Sequence, residues 1–341
     1  MRDVFFAGDI KKNNGPSNVN KELFRFLKDD FSFVESNNKW ISYLLFIYYT
    51  LRCKVVVFSG LLKIDFICLR LAKMLKKNIV YIMHGCVQYE QGEILNKADK
   101  GIALENQLFK AADQILCVSE PFAEWFKNYR KEYSFKVNVL QNGIPWSSFD
   151  TAEDKEYSET LLPLRKIILV GGGRLTKMNI NVVKAVQQIN EKKEDKWVID
   201  LYGYYRKDDD SSKIVEYDFV NFNGMVSHDK LMEEFSKGTL FIQNSIWEPF
   251  GLTCIEAILH NCNVLISRFV GANTILALEE DDKINDPYSI DELVRKIISF
   301  EKRTNYARLA ESINKEITSC EFSANKLKSI VEKIAHDGNE V

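Results

Sequence analysis

Short, nearly continuous apolar runs alternate with longer stretches of helical periodicity along the whole chain. The runs are Val4–Ala7, Val55–Ser59, Ile79–Met83, Gln114–Ser119 and Val137–Gln141, then Lys166–Gly171, Trp197–Tyr202, Val220–Phe222, Leu240–Gln243 and Asn263–Ser267. Apolar strands without alternation, separated by helices, mark parallel sheets covered on both faces. The pattern occurs twice, which predicts an α/β protein with two doubly wound domains. Between the two series lies Asp150–Pro163 (DTAEDKEYSETLLP), acidic and polar, which reads as a linker. The boundary is therefore placed at 150/151, with a second domain over 151–320. Beyond it, Glu321–Ala335 has helical spacing with Ser323 available as a cap, so a final helix is expected. Repeats, low-complexity tracts and heptad runs are absent from the sequence.

Composition fits this picture: 341 residues, 46% hydrophobic and 28% charged, suffice for two buried cores. A net charge of −2 conceals an asymmetry, with 21 Lys/Arg against 16 Asp/Glu in residues 1–150 and 25 against 32 thereafter. The basic half is either an ordinary solvated surface or a face for anionic lipid head groups or a phosphorylated acceptor. Its cations are dispersed and carry no nucleic-acid module, so no nucleic-acid partner is expected. Seven cysteines, at 53, 68, 86, 117, 254, 262 and 320, are odd in number and form no CxxC pair. Most sit in apolar runs, as free thiols do in a reducing, cytoplasmic compartment. The opening MRDVFFAGDI turns polar at Asp9, which argues against an export leader. The longest apolar run, Ile41–Leu51, is about half a membrane span.

The most informative stretch is Ile242–Gly271, IQNSIWEPFGLTCIEAILHNCNVLISRFVG. It places Glu248 in a turn, then Phe250, Gly251, Leu252 and Thr253, then a helix containing Glu256. A glycine before a helix N-terminus lets backbone amides approach a phosphate, and the helix dipole favours the anion there. Thr253-x-x-Glu256 also has the spacing of a capping box, which would occupy Glu256 without any ligand. Glu248 has no capping partner at its spacing.

A second segment, Ile167–Lys177 (IILVGGGRLTK), is a strand running into three glycines and then Arg174 and Lys177. Glycines 172 and 173 at a strand's carboxyl end permit close approach of backbone to a ligand, at the edge where doubly wound sheets bind. The two cations are either ordinary loop residues or a clamp on a diphosphate leaving group. The spacing is neither a Walker loop nor a dinucleotide fingerprint. In the first half, Gly15-Pro16-Ser17-Asn18 forms a cap and turn or a loop near a reaction centre, and His84 ends a strand where its ring can reach a cleft or serve the structure. The run Asp208–Asp210 reads as a solvated loop, and no metal site is expected.

Glu248 and Glu256, seven residues apart with Gly251-Leu252-Thr253 between them, resemble the EX7E motif of retaining glycosyltransferases of family 4, which have the GT-B fold. Smaller matches run along nearly the whole chain: Ala112-Asp113 through Val118-Ser119, Gln141–Ile144, Phe222–Val226, Asn263–Ser267 with Val270-Gly271, and Glu321–Ser323. The resemblance implies two Rossmann-like domains facing a central cleft, with donor binding in the second and the final helix, residues 321–341, crossing back to the first. It assigns donor-sugar hydroxyls to Glu248, ribose to Glu256, and amide contacts to Gly251, Leu252 and Thr253. Arg174 and Lys177 would hold the donor phosphates, although their spacing is shorter here than in the family. Val226 would border the base, Gly15 would approach phosphate and acceptor, and His84 would stand near acceptor and sugar.

The activity so implied is metal-independent transfer of a hexose from a nucleotide-diphosphate sugar to a glycan or lipid-linked acceptor, with retention of configuration. No cofactor besides the donor is implied. Resemblance to short, Lys/Asn-rich bacterial enzymes points to surface polysaccharide or glycolipid assembly at the inner membrane face. The competing readings are a nucleotide-sugar epimerase of similar fold and a non-catalytic partner subunit. A nicotinamide dehydrogenase lacks its glycine fingerprint here.

Overall fold

Both halves of the chain form six-stranded, wholly parallel sheets. The computed structural model describes residues 2–12, 14–97, 99–149, 165–237 and 240–337; the expected linker Asp150–Pro163 lies outside them. The chain divides into two compact units, Met1–Ser148 with Lys315–Val341, and Phe149–Asn314.

In the first unit β1 (Val4–Gly8), β2 (Phe31–Ser32), β3 (Val55–Ser59), β4 (Asn78–Met83), β5 (Gln114–Cys117) and β6 (Val137–Val139) stand in the order β2-β1-β3-β4-β5-β6. They are linked through α1 (Gly15–Leu27), α2 (Lys39–Arg52), α3 (Asp65–Met74), α4 (Lys100–Ala111) and α5 (Glu120–Tyr129). β1 and β3 are buried at every position, as strands covered on both faces must be. Ser119 caps α5, its hydroxyl accepting the Phe122 amide at 3.2 Å.

The second unit repeats the plan with β7 (Lys166–Val170), β8 (Val198–Tyr202), β9 (Val220–Gly224), β10 (Leu240–Gln243), β11 (Asn263–Ser267) and β12 (Lys283–Ile284), in the order β12-β11-β10-β7-β8-β9. Its helices are α6 (Asn179–Lys192), α7 (Ser211–Ile214), α8 (His228–Phe235), α9 (Leu252–Leu259), α10 (Ile290–Ser299) and α11 (Tyr306–Ser312). One face of the sheet buries Ile167, Leu169, Ile199 and Leu240 against Val182, Val186, Leu293 and Ile297 of α6 and α10. Two more helices, α12 (Lys315–Thr318) and α13 (Cys320–Asp337), return to the first unit, where α13 packs on α1 and buries Ala324, Leu327 and Val331.

Strand order fixes where each unit can bind. In a doubly wound sheet the crossovers leave the two strands at the switch point on opposite faces, opening a crevice at their carboxyl ends. The switch points here are β1/β3 in the first unit and β7/β10 in the second.

Four expectations need correction. Ser323 does not cap the last helix: it lies inside α13 and its hydroxyl donates to Gln141 O at 2.6 Å, while the Ser319 hydroxyl accepts the Phe322 amide at 3.0 Å. Gly143, which the Asn142-Gly143 pair marks in sequence as part of a tight turn, is instead required by a close approach, since a Cβ there would lie 2.4 Å from Cys320 Cα. The run Asp208–Asp210 is more than a solvated loop, because Asp209 accepts the Ser211 amide and the Asp210 amide donates to Gly173 O. The capping box at Thr253 does not form, as described below.

Candidate functional site

In the second unit the switch-point strands β7 and β10 deliver the two chemically rich loops to one place. The loop after β10 carries Glu248, whose backbone is pinned by Phe269 O on one side and the Gly271 amide on the other, at 3.2 and 2.9 Å. Its carboxylate accepts from the Lys177 ammonium, which comes from the loop after β7, and from Gln243 Nε2 at 2.9 Å. Gln243 Oε1 in turn accepts from the Cys254 thiol of α9. Lys177 and Glu248 are only 15% and 21% exposed, so the pair is largely withdrawn from solvent screening while keeping an open side. Arg174 is exposed and makes no ion pair among the described residues. Its guanidinium is free to meet an anion.

Gly251 caps α9 with φ 92°, a left-handed conformation in which a side chain is strained. No acidic residue occupies the first turn of α9, so nothing there cancels the positive end of the helix dipole. Thr253 lies inside the helix, and Glu256 turns away from the helix start to meet His228 Nε2 at 3.0 Å. This pairing raises the His228 pKa, the hydrogen bond to Glu256 being the largest cause. Glu256 is therefore free of capping work. Phe250 is buried, Leu252 and Thr253 are half-buried beside the helix start, and Val226 is half-buried just before α8. Behind these groups, Asn244 Oδ1 and Ser245 Oγ are buried without hydrogen-bond partners, a cost of the kind that collects at functional sites.

Gly172 and Gly173 play a different part from the one expected of them. A Cβ on Gly172 would lie 2.4 Å from Tyr204 O, and one on Gly173 2.1 Å from Ser211 N, so the room they leave is filled by the protein's own backbone. Their amides are also taken, by Tyr202 O and Ser211 Oγ. From this loop, the side chains of Arg174 and Leu175 are exposed, and that of Lys177 turns to Glu248.

At the switch point of the first unit a chain of neutral groups leads to His84, and the ion pair of the loop after β1, Lys12 with Asp9 at 3.2 Å, stands outside that chain. Asn20 of α1 donates to Asp9 O at 3.1 Å, and its Oδ1 accepts from the Ser59 hydroxyl at 2.6 Å. The Ser59 oxygen lies 2.9 Å from His84 Nε2. The single Ser59 proton is committed to Asn20, so Nε2 must donate and Nδ1 is left as the acceptor. Burial pushes the His84 pKa down to about 4, which keeps the ring neutral. The loop that follows His84 is held by Glu105, which accepts the amides of Val87 and Gln88 at 3.1 and 2.9 Å. Desolvation raises this carboxyl to about 7. Gly15 opens α1 in free space, with Asn14 as cap accepting the Ser17 amide at 3.0 Å. The cap reading of this segment holds, and the first turn of α1 faces the carboxyl edge of the sheet.

Sequence reasoning missed Gln243, His228, Asn20 and Ser59. Ser59 and Gln243 were visible only as strand ends, and a polar residue closing an apolar strand at a switch point is the signal that finds them. His228 follows Val226 by two residues at a helix start. Asn20 had no signal, because its partners are 11 and 39 residues away.

Comparison with known proteins follows the same lines. The chain is similar in structure to HepE of Anabaena in complex with UDP and glucose, with a TM-score of 0.69, 11% identity, and coverage of 98% of this chain and 100% of that one. It is similar to sucrose-phosphate synthase from Thermosynechococcus elongatus, with a TM-score of 0.69, 15% identity and coverage of 98% and 99%. The lipopolysaccharide outer core galactosyltransferase WaaB in its apo form gives 0.66, 14%, and 98% and 99%. Among curated proteins no match is found. The two parallel sheets with flanking helices are those of GT-B glycosyltransferases. Residues 152–317 match the family model described as glycosyl transferases group 1, so the second unit is similar to that family in sequence as well as in fold.

Proposed function

We propose that the protein transfers a sugar from a nucleotide-diphosphate donor to an acceptor hydroxyl, with the donor held at the β7/β10 switch point. The observation that carries this reading is the meeting there of Lys177, Glu248 and the uncapped positive end of α9. Glu248 contacts donor-sugar hydroxyls, and Glu256 exchanges His228 for the ribose. Leu252 and Thr253 offer first-turn amides to the diphosphate, with Arg174 and Lys177 as its counter-charges. Phe250 and Val226 wall the sugar and base. Preorganised cations and amides of this kind are worth a few kcal/mol each as charge builds on a leaving group. No metal or other cofactor is invoked.

Retention of configuration, as in family 4, fits a mechanism in which the departing phosphate takes the acceptor proton on the same face of the sugar. His84 presents its neutral Nδ1 to the acceptor side. The acceptor is a glycan or a lipid-linked sugar in surface polysaccharide or glycolipid assembly, reached from the cytoplasm. The UDP in the HepE structure puts uridine first among the bases to try.

The test is thermal unfolding against UDP, GDP, dTDP and CMP compounds, with Arg174→Ala and Glu256→Ala alongside. Ligand at a hundredfold its dissociation constant stabilises the folded state by about 2.7 kcal/mol. One diphosphate should raise the midpoint, and both variants should lose the shift. Well-folded protein that responds to none of them would sink the reading, and donor breakdown without any acceptor would redirect it to an epimerase.

A further inference from the structure

The outer face of α2 and α3 is apolar and rimmed by cations. On α2, Trp40, Ile41, Leu44, Tyr48 and Leu51 are exposed, Trp40 by 77% and Leu44 by 68%. At about 100° per residue they fall within an arc of about 100°, opposite the buried Phe46 and Thr50. On α3, which packs beside α2, Ile67 and Met74 are exposed on the side opposite buried Leu69 and Ala72. From Lys39 to Lys77 the chain has eight Lys/Arg and a single acid, Asp65, which is fully buried; of the eight, Lys54 pairs with Asp3 and Lys77 donates to Cys53 O.

We propose that this face seats the protein on an anionic lipid bilayer. A contiguous apolar patch of this extent marks an interaction surface. Tryptophan and tyrosine among aliphatic side chains, with a cationic border, suit the level of lipid head groups, where aromatic rings keep one end wet and arginines and lysines meet phosphate. A second copy of the chain is a poor occupant, because a two-fold contact would set one cationic rim against another. No helix among the described residues is long and apolar enough to cross a membrane, so contact would be interfacial. Because α2 joins the parallel strands β2 and β3, it runs against them, and Trp40 lies at the carboxyl edge of the sheet. Lys11 Nζ, donating to Ser36 O, ties the loop after β1 to the segment leading into α2. On the reading under Proposed function, a lipid-linked acceptor would rise beside the edge that carries His84.

The test uses the full chain without donor or acceptor, so its outcome is independent of the transferase reading. Protein is sedimented with vesicles of phosphatidylcholine, with and without phosphatidylglycerol. Anionic vesicles should carry the protein down, and added salt should release it. Trp40→Ala with Leu44→Ala should lower partitioning about tenfold with an unchanged unfolding midpoint, since both side chains are already in water. Arg70→Glu with Lys73→Glu should lower it by about fivefold or more for each cation. Equal binding to neutral and anionic vesicles, no binding to either, or unchanged binding by the Trp40/Leu44 variant would overturn the proposal. So would a concentration-dependent dimer that the same variant dissolves while vesicles stay bare.

Discussion

The two units share a plan and differ in how they treat charge at the switch point. At β7/β10 an ammonium and a carboxylate face each other with a bare cation and a helix N-terminus nearby. At β1/β3 the contacts that lead from Asp9 O to His84 are neutral, carbonyl, amide, hydroxyl and imidazole in series, and the Asp9 carboxylate turns away from them to Lys12. The lesson is that one fold supplies position alone, and the chemistry of the edge decides what is bound. A charged edge suits a dianion that must be held while its charge rises. A neutral edge suits a hydroxyl, whose orientation matters more than its charge.

The largest effect expected from this contrast is at the charged edge. Lys177→Met should lower turnover, measured as nucleotide release with acceptor present, by about 10²–10³, the usual cost of removing a preorganised partner of a developing anion. A loss below tenfold would assign Lys177 to holding Glu248 alone. At the neutral edge, Asn20→Ala frees the Ser59 hydroxyl to donate to His84 Nε2 and so releases the tautomer. Turnover should fall about tenfold, one misplaced hydrogen bond being worth about 1.4 kcal/mol, while UDP binding to the second unit stays unchanged. Weakened UDP binding would abolish the division of labour between the units.

The smallest effect is a pH dependence. His228 titrates above its usual value because Glu256 stabilises its charged form. The pair's contribution is therefore full at low pH and fades as pH rises through that raised pKa. On the proposed role of Glu256 the ribose would compete with the charged imidazole, so UDP affinity should fall a few-fold as pH drops through the same range. His228→Gln should flatten the profile, and a profile that keeps its slope in the variant would place the titrating group elsewhere.

Strands were legible where burial on both faces left an unbroken apolar run, and the bounds of β3, β10 and β11 were readable to the residue. β2 and β12 were not, because an edge strand of two residues has no pattern to show. At the site, the Glu248 and Lys177 loops stood out through glycine, proline and charge. The pairing between them did not, since 71 residues separate the partners and only the sheet order brings them together. Local spacing also misled. Thr253 and Glu256 have capping-box spacing, yet Gly251 starts the helix in a left-handed turn, which puts the threonine past the cap position. Gly172 and Gly173 looked like room for a ligand, and the room is used by Tyr204 and Ser211.

The return of the chain to the first unit has a consequence for how such molecules can be recombined. Ile144, where the chain leaves, and Ser319, where it comes back, sit side by side in a parallel bridge within the first unit. Topologically, residues 149–314 are thus an insertion whose two junctions open at one spot on a host that is otherwise complete. A foreign segment of the same plan can replace them as a single cassette, leaving the α1–α13 packing and the whole first sheet untouched. Cutting the chain once at the boundary instead strips α13 from its seat and bares Leu327 and Val331.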